Sequence, residues 1–317
     1  MKSAWITIIG RPSSGKSTIL NRLCGKHVSI TAPSPQTTRN TIRGILTEEQ
    51  GQLVFADTPG YHISEKKLNR YLKENAESAL DEADLILYVC DASRPDGEEE
   101  EAVRTLIRPV ASKVITAINK MDLPKADPEP LSRAAGIAFP ERPLITLSAE
   151  TGKGLEQLKS ALFAAAPEGE MLYPEEFYTD QDPEFRVTEI IRGAVVNRVR
   201  QELPHAIYVA VEDMEIRNLM DRAPKGGGES SIDRRDERDD VENQELWIRA
   251  VIYTERESQK GMIVGKGGSG IAAIGKVARS QLKKLFPQRI NLDLRVKCDP
   301  KWRNREHLLK RLTGGWE

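Results

Sequence analysis

Two glycines, a lysine and a serine stand in Gly10-Arg11-Pro12-Ser13-Ser14-Gly15-Lys16-Ser17 at the G-x-x-x-x-G-K-[ST] spacing that suits the binding of phosphate. Gly10 and Gly15 let the chain curl so that successive N–H groups point inward at anionic oxygens. A helix opening near Lys16 and Thr18 adds the positive end of its dipole. Lys16 reaches β- and γ-phosphates, and the Ser17 hydroxyl is a hard oxygen ligand for Mg2+.

Three further strings fall where such a loop needs partners. Asp57-Thr58-Pro59-Gly60 supplies a carboxylate, Asp57, to orient Mg2+ through water, and a backbone N–H at Gly60 that meets the terminal phosphate and senses its loss. Asn119-Lys120-Met121-Asp122 selects the base. Asp122 accepts two hydrogen bonds from the N1–H and exocyclic amine of guanine, a donor pair that adenine lacks, and sites of this kind reject the wrong ligand by about four orders of magnitude. Lys120 lays its stem over the purine, and Asn119 ties the loop together. A backbone N–H of Ser148-Ala149 is placed to reach guanine O6. Far downstream, Ile263-Val264-Gly265-Lys266-Gly267-Gly268 with Ile271 puts a G-x-x-G loop between two helical stretches. Backbone without side chains there approaches sugar-phosphate closely, and Lys266 adds charge.

The elements around these strings must present them at one edge. Residues 4–9, 85–90 and 114–118 are apolar runs that read as strands buried on both faces. Residues 42–47 and 53–56, around Gln50-Gly51, read as a hairpin, and 144–147 as a short strand. Helical stretches follow at 66–83, 97–107, 130–138 and 155–165. Strands alternating with helices predict an α/β fold with a mostly parallel sheet, whose ligands sit at the carboxyl ends of the strands. Each nucleotide motif follows a strand. Residues 167–183 hold three prolines without periodicity and read as a linker between a first domain at 1–166 and a second at 184–317. The second domain reads as a helix at 185–203, strands at 207–211 and 246–253, a helix at 271–286 and a strand at 290–296. Residues 226–243 are glycine-rich and then charged, and too poor in apolar groups to offset their ordering entropy, so a disordered acidic insertion is expected.

Composition sets the bounds. The 317 residues, 39% hydrophobic and 30% charged, suffice for two domains of a soluble protein. No apolar run of membrane-spanning length exists, and a strand starting at residue 4 leaves no room for a signal peptide. Three separated cysteines and four histidines without ligand spacing argue for a reducing cytoplasm and against zinc. The net charge of −1 conceals a basic C-terminal stretch: residues 246–317 carry 16 Lys/Arg against 6 Asp/Glu. A basic domain points to a polyanion partner.

Together these motifs resemble the Era-type GTPases, a G domain of the Era/TrmE class followed by a KH RNA-binding domain, over nearly the whole chain except 226–243. The resemblance implies a P-loop GTPase domain with a mostly parallel sheet and an α+β KH domain of type II. It implies GTP/GDP and Mg2+ as ligands, hydrolysis of GTP, and ribosome assembly through single-stranded rRNA near the 3′ end of the small-subunit rRNA. Gln36-Thr37-Thr38-Arg39 resembles the family's switch I, and Thr38, or else Thr37, is by that likeness a Mg2+ ligand. By the resemblance, Lys16, Thr38, Asp57 and Gly60 carry catalysis; residues 10–18, 57–61, 119–122, Ser148 and Ala149 hold nucleotide; and Ser17, Thr38 and Asp57 hold the metal. A monomer is expected, as is peripheral association with the inner face of the cell membrane, although the sequence offers no amphipathic anchor. Two departures stand out. Ser13 occupies the place of an Asn that helps hold K+ in related enzymes, so little potassium stimulation is expected. Tyr61 follows Gly60 where many signalling GTPases carry a water-orienting Gln, so intrinsic hydrolysis should be slow. A tRNA-modifying GTPase would end in a reactive Cys, whereas this sequence ends Gly314-Gly315-Trp316-Glu317. The alternative of another class is a nucleotide-controlled RNA-binding switch with negligible hydrolysis of its own.

Overall fold

The computed structural model describes residues 1–31, 42–58, 80, 82–199, 207–219, 243–300 and 302. Thr37, Thr38, Arg39, Pro59, Gly60, Tyr61, most of the expected helix at 66–83 and all but the last residue of the 226–243 insertion lie outside them. The chain divides into two compact units after Gln181.

In the first unit β1 (Lys2–Ile9), β2 (Ile42–Glu48), β3 (Gly51–Asp57), β4 (Leu85–Asp91), β5 (Val114–Asn119) and β6 (Leu144–Thr146) form one sheet in the order β2-β3-β1-β4-β5-β6. All neighbours are parallel except the β2–β3 hairpin, which turns between Glu48 and Gly51. The apolar runs explain the layering. Every residue of β4 and β5 is buried, which requires cover on both faces of the sheet. One face packs Ile86, Tyr88, Cys90, Val114 and Ile118 against Val103 and Ile107 of α2 (Glu98–Ile107) and Leu131 and Ala135 of α3 (Glu129–Ala138). Helix α1 (Lys16–Cys24) packs on β2, β3 and α4 (Leu155–Ala165). Among the cysteines Cys90 is buried, Cys24 and Cys298 are half-buried, and all three are thiols. Burial pushes the Cys24 thiol up to about 12.

Residues 167–181 lie along this sheet. The amides of Ser3 and Gly169 donate to Pro167 O and Met1 O at 3.0 and 2.9 Å. The fully buried Gln52 side chain donates to Tyr173 O and accepts from the Leu172 and Tyr173 amides, each at 2.9 Å. Tyr178 O accepts from Ile45 N at 3.0 Å, and the Thr179 hydroxyl donates to Arg43 O at 2.7 Å. The stretch lacks periodicity in sequence because side chains and a sheet edge, rather than its own ladder, satisfy its backbone.

The second unit opens with α5 (Pro183–Arg198). The Asp182 carboxylate caps the Glu184 and Phe185 amides, and Pro183 takes the first helical position, where its missing N–H costs nothing. Strands β7 (Ile207–Asn218), β8 (Gln244–Thr254) and β9 (Arg289–Cys298) form a sheet in that order, antiparallel then parallel. Helices α6 (Glu257–Val264) and α7 (Ser269–Leu282) lie between β8 and β9. The order helix–strand–strand–helix–helix–strand is the one expected. Trp302 is 1% exposed and its ring lies 5.2 Å from that of Tyr208, so it anchors packing. Among the described residues no helix is long and apolar enough to cross a membrane.

Candidate functional site

Four loops separated in sequence meet at the carboxyl ends of β1, β3, β5 and β6. The first is the turn between β1 and α1. Lys16 curls back over it and donates from Nζ to the Gly10 and Arg11 carbonyls, both at 3.0 Å. Burial pushes the Lys16 ammonium down to about 8, against the opposing pull of Asp57 and Glu100. A buried cation at the N-terminal end of α1 gives the turn the charge that an anion needs. Gly15 caps α1 at φ +100, and a Cβ there would meet Asn119 Nδ2 at 2.2 Å, so this position admits only glycine. Arg11 turns inward: its Nε pairs with Glu100, its Nη1 donates to Pro95 O at 3.4 Å, and Tyr88 OH donates to the same carboxylate at 2.7 Å. Arg11 therefore braces the loop from beneath. Ser13 is exposed at φ +63.

The second loop follows β3. Ser17 Oγ donates to Asp57 Oδ2 at 2.6 Å, which joins two of the three residues expected at the metal; the third, Thr38, lies outside the described residues. A hydroxyl and a carboxylate beside a phosphate loop form an all-oxygen set that suits Mg2+, a hard cation that keeps several of its waters. Thr58 is buried, and its hydroxyl donates to Ile8 O at 2.8 Å, so it holds β3 to β1.

The third and fourth loops lock together. Asn119 Nδ2 donates to Ser14 O, and Asn119 Oδ1 accepts from Ala149 N, each at 2.9 Å and each buried. One side chain thus ties the phosphate loop to both base-side loops. Both backbone N–H groups of the Ser148-Ala149 pair, one of which was expected to face the base, are engaged here, Ala149 N with Asn119 Oδ1 and Ser148 N with Lys153 O, each at 2.9 Å. Asp122 is exposed, with Oδ1 fixed by the Ser148 hydroxyl at 2.6 Å, and Met121 N donates to Leu147 O at 3.2 Å. Lys120 Nζ donates to Asp91 Oδ2 at 2.7 Å, which leaves its stem as a wall. Burial opposes ionisation of Asp91, but Lys120 and Ser93 hold its carboxyl below the usual range. From α1, Arg22 donates to the Ala149 and Glu150 carbonyls at 3.0 and 2.6 Å. The sequence reading passes over Asp91, Glu100 and Arg22. Of these only Asp91, a carboxylate closing a buried strand, carries a visible signal.

In the second unit Gly265 ends α6, Lys266–Gly268 make one tight turn, and Ser269 opens α7. Lys266 and Gly267 are exposed, whereas Val264 and Ile271 are half-buried. Ile263 is completely buried, so it supports the loop from below and offers no surface to a ligand. Gly270 lets the helices close: a Cβ there would meet Ile263 O at 2.3 Å. Arg279 of α7 donates to Leu292 O at 2.9 Å. Among the described residues no cluster of His, Cys, Asp and Glu is arranged to hold a metal by itself.

Comparison with known proteins agrees with this anatomy. A family model described as 50S ribosome-binding GTPase matches residues 5–120, and one described as KH domain matches residues 234–303. The crystal structure of Era in complex with MgGDPNP and nucleotides 1506–1542 of 16S ribosomal RNA matches over 100% of both chains, with a TM-score of 0.85 and 33% identity. A variant of Aquifex aeolicus Era bound to GDP.AlF4- matches equally well, with a TM-score of 0.85 and 31% identity over 100% of both chains. The GTPase Era of Treponema denticola is 42% identical over 99% of this chain and 100% of its own, and that of Treponema pallidum is 44% identical over 96% and 95%. With that likeness running through both units, the chain belongs to the Era family of GTPases.

Proposed function

We propose that this chain is a GTP-hydrolysing ribosome-assembly factor that works as a monomer in the cytoplasm and binds single-stranded small-subunit rRNA through its second domain. The observation that carries the proposal is the Asn119 clamp, which brings Ser14, Ala149 and the phosphate loop to one edge while Ser17 and Asp57 meet beside them. Residues 10–18 cradle the phosphates, and Lys16 sets its charge against the β- and γ-phosphates. Asp122 reads the guanine edge and Lys120 covers the ring. Ser17 and Asp57 hold the Mg2+ side, with Thr38 completing it and Gly60 contacting the γ-phosphate by sequence resemblance. Mg2+, when bound, neutralises charge that builds on the β- and γ-oxygens. Since Tyr61 stands where many signalling GTPases carry a water-orienting Gln, intrinsic turnover is slow. GTP orders the switches and favours RNA engagement, and hydrolysis releases them.

Lys266→Asp with Gly267→Asp tests the two-part reading. Nothing lies within 4 Å of a Cβ at Gly267, whose φ is +59, and Asp tolerates that region better than most residues, so the fold survives. RNA retention in filter binding should vanish while GDP affinity and basal turnover hold. Unchanged RNA affinity would remove the loop from the site.

A further inference from the structure

Ser29 lies outside every motif, yet it is completely buried and its Oγ donates to Asp57 Oδ2 at 2.9 Å. The same carboxylate oxygen accepts from Ser17 Oγ at 2.6 Å. We propose that Ser29 is a positioning residue for Asp57, and that Asn21 is the clamp that keeps it there. The inference rests on the assignment of Ser17 and Asp57 to the Mg2+ side.

Asn21 stands one helical turn after Ser17 on α1. Its Oδ1 accepts from the amides of Val28 and Ser29 at 2.8 and 2.9 Å, and its Nδ2 donates to Ser29 O at 2.7 Å. Three hydrogen bonds from one side chain fix residues 28 and 29 to the helix that also carries Ser17. The Gln181 side chain adds a fourth, donating to Val28 O at 3.0 Å. The hydroxyl of Ser29 is therefore delivered to Asp57 by a braced backbone rather than by a mobile loop.

A carboxylate with one donor can swing about its Cβ–Cγ bond. Two hydroxyls on one oxygen fix its plane and commit that oxygen, so the other is presented in one orientation. Partners of this kind, which hold a metal-side group without touching the metal, typically affect metal affinity by 10–100-fold.

The test follows release of a fluorescent GDP from the full chain as free Mg2+ is varied. Ser29→Ala should raise the Mg2+ concentration needed to slow release about tenfold or more, with GDP affinity in EDTA and the melting temperature little changed. Ser29→Cys, nearly isosteric with a weaker donor, should fall between, and Asn21→Ala should shift the midpoint in the same direction. Ser17→Ala is the control for the underlying reading. If Ser17→Ala leaves the midpoint in place, the assignment of the metal side fails. If Ser17→Ala moves it but Ser29→Ala and Ser29→Cys do not, Ser29 does not position Asp57. A lower melting temperature with an unmoved midpoint overturns the proposal equally, since that is the signature of packing alone.

Discussion

Asn119→Ala should damage both stability and nucleotide binding, by an amount the structure allows to be worked out. Asn119 is 2% exposed, and its two bonds run to backbone groups, Ser14 O and the Ala149 N–H, in buried surroundings. Truncation leaves both unpaired. Each buried orphan costs about 1–3 kcal/mol. The space vacated admits some water, so the lower half of the sum applies, about 2–4 kcal/mol. For a unit of this size each kcal/mol moves the melting temperature by about 2–4 °C, which gives a fall of roughly 4–16 °C. Because the same bonds set the distance between the phosphate loop and the base-side loops, GDP affinity should fall more than tenfold. Asn119→Asp keeps the acceptor for Ala149 but turns a carboxylate on Ser14 O, so it should be no better than alanine. Thermal unfolding and a GDP titration on both variants check this. A fall below about 2 °C with GDP affinity within twofold would refute the clamp, and so would an Asp variant that binds normally.

Asp122→Asn should lose GTP and gain xanthine nucleotide, because Asn donates where xanthine presents a carbonyl in place of the guanine amine; titration of both nucleotides into both proteins checks it. GDP affinity should fall above pH 8, since the Lys16 ammonium of the empty site, held at about 8 by burial, loses its charge there. The loss should approach about one decade per pH unit until the pKa of the bound state is reached, and titrations between pH 7 and 10 measure it. Potassium should stimulate hydrolysis little over sodium, and Ser13→Asn should gain stimulation. The backbone at φ +63 suits Asn, so matched chloride salts compare the two proteins without a folding penalty.

How much was legible depended on how local the cause was. The buried strands were readable because a strand covered on both faces needs an unbroken apolar run, and β4 and β5 have one. The four nucleotide motifs were readable because their chemistry fixes both residue type and spacing. Ser29 and Asn21 were not, since a serine in a loop and an asparagine on a helix carry no periodic signal, and Ser29 meets Asp57 only through the tertiary fold, from 28 residues away. Pro183 was read as the end of a linker because 167–183 holds three prolines without periodicity, yet Asp182-Pro183 is a cap followed by a first turn. Ile263 was grouped with the RNA loop by sequence adjacency, whereas the twist of α6 turns it wholly into the core. Residues 167–181 looked structureless because their hydrogen bonds go to Gln52 and the β2 edge, partners more than a hundred residues away.

In the proposed function the guanine nucleotide in the first unit controls RNA binding by the second. The most direct test of that control is the affinity of the full chain for a single-stranded RNA from the 3′ end of the small-subunit rRNA, measured at fixed salt with Mg2+ and either GDP or a non-hydrolysable GTP analogue. Binding should be at least tenfold tighter with the analogue, and the difference should disappear in Lys266→Asp/Gly267→Asp. Equal affinity in the two nucleotide states would contradict it.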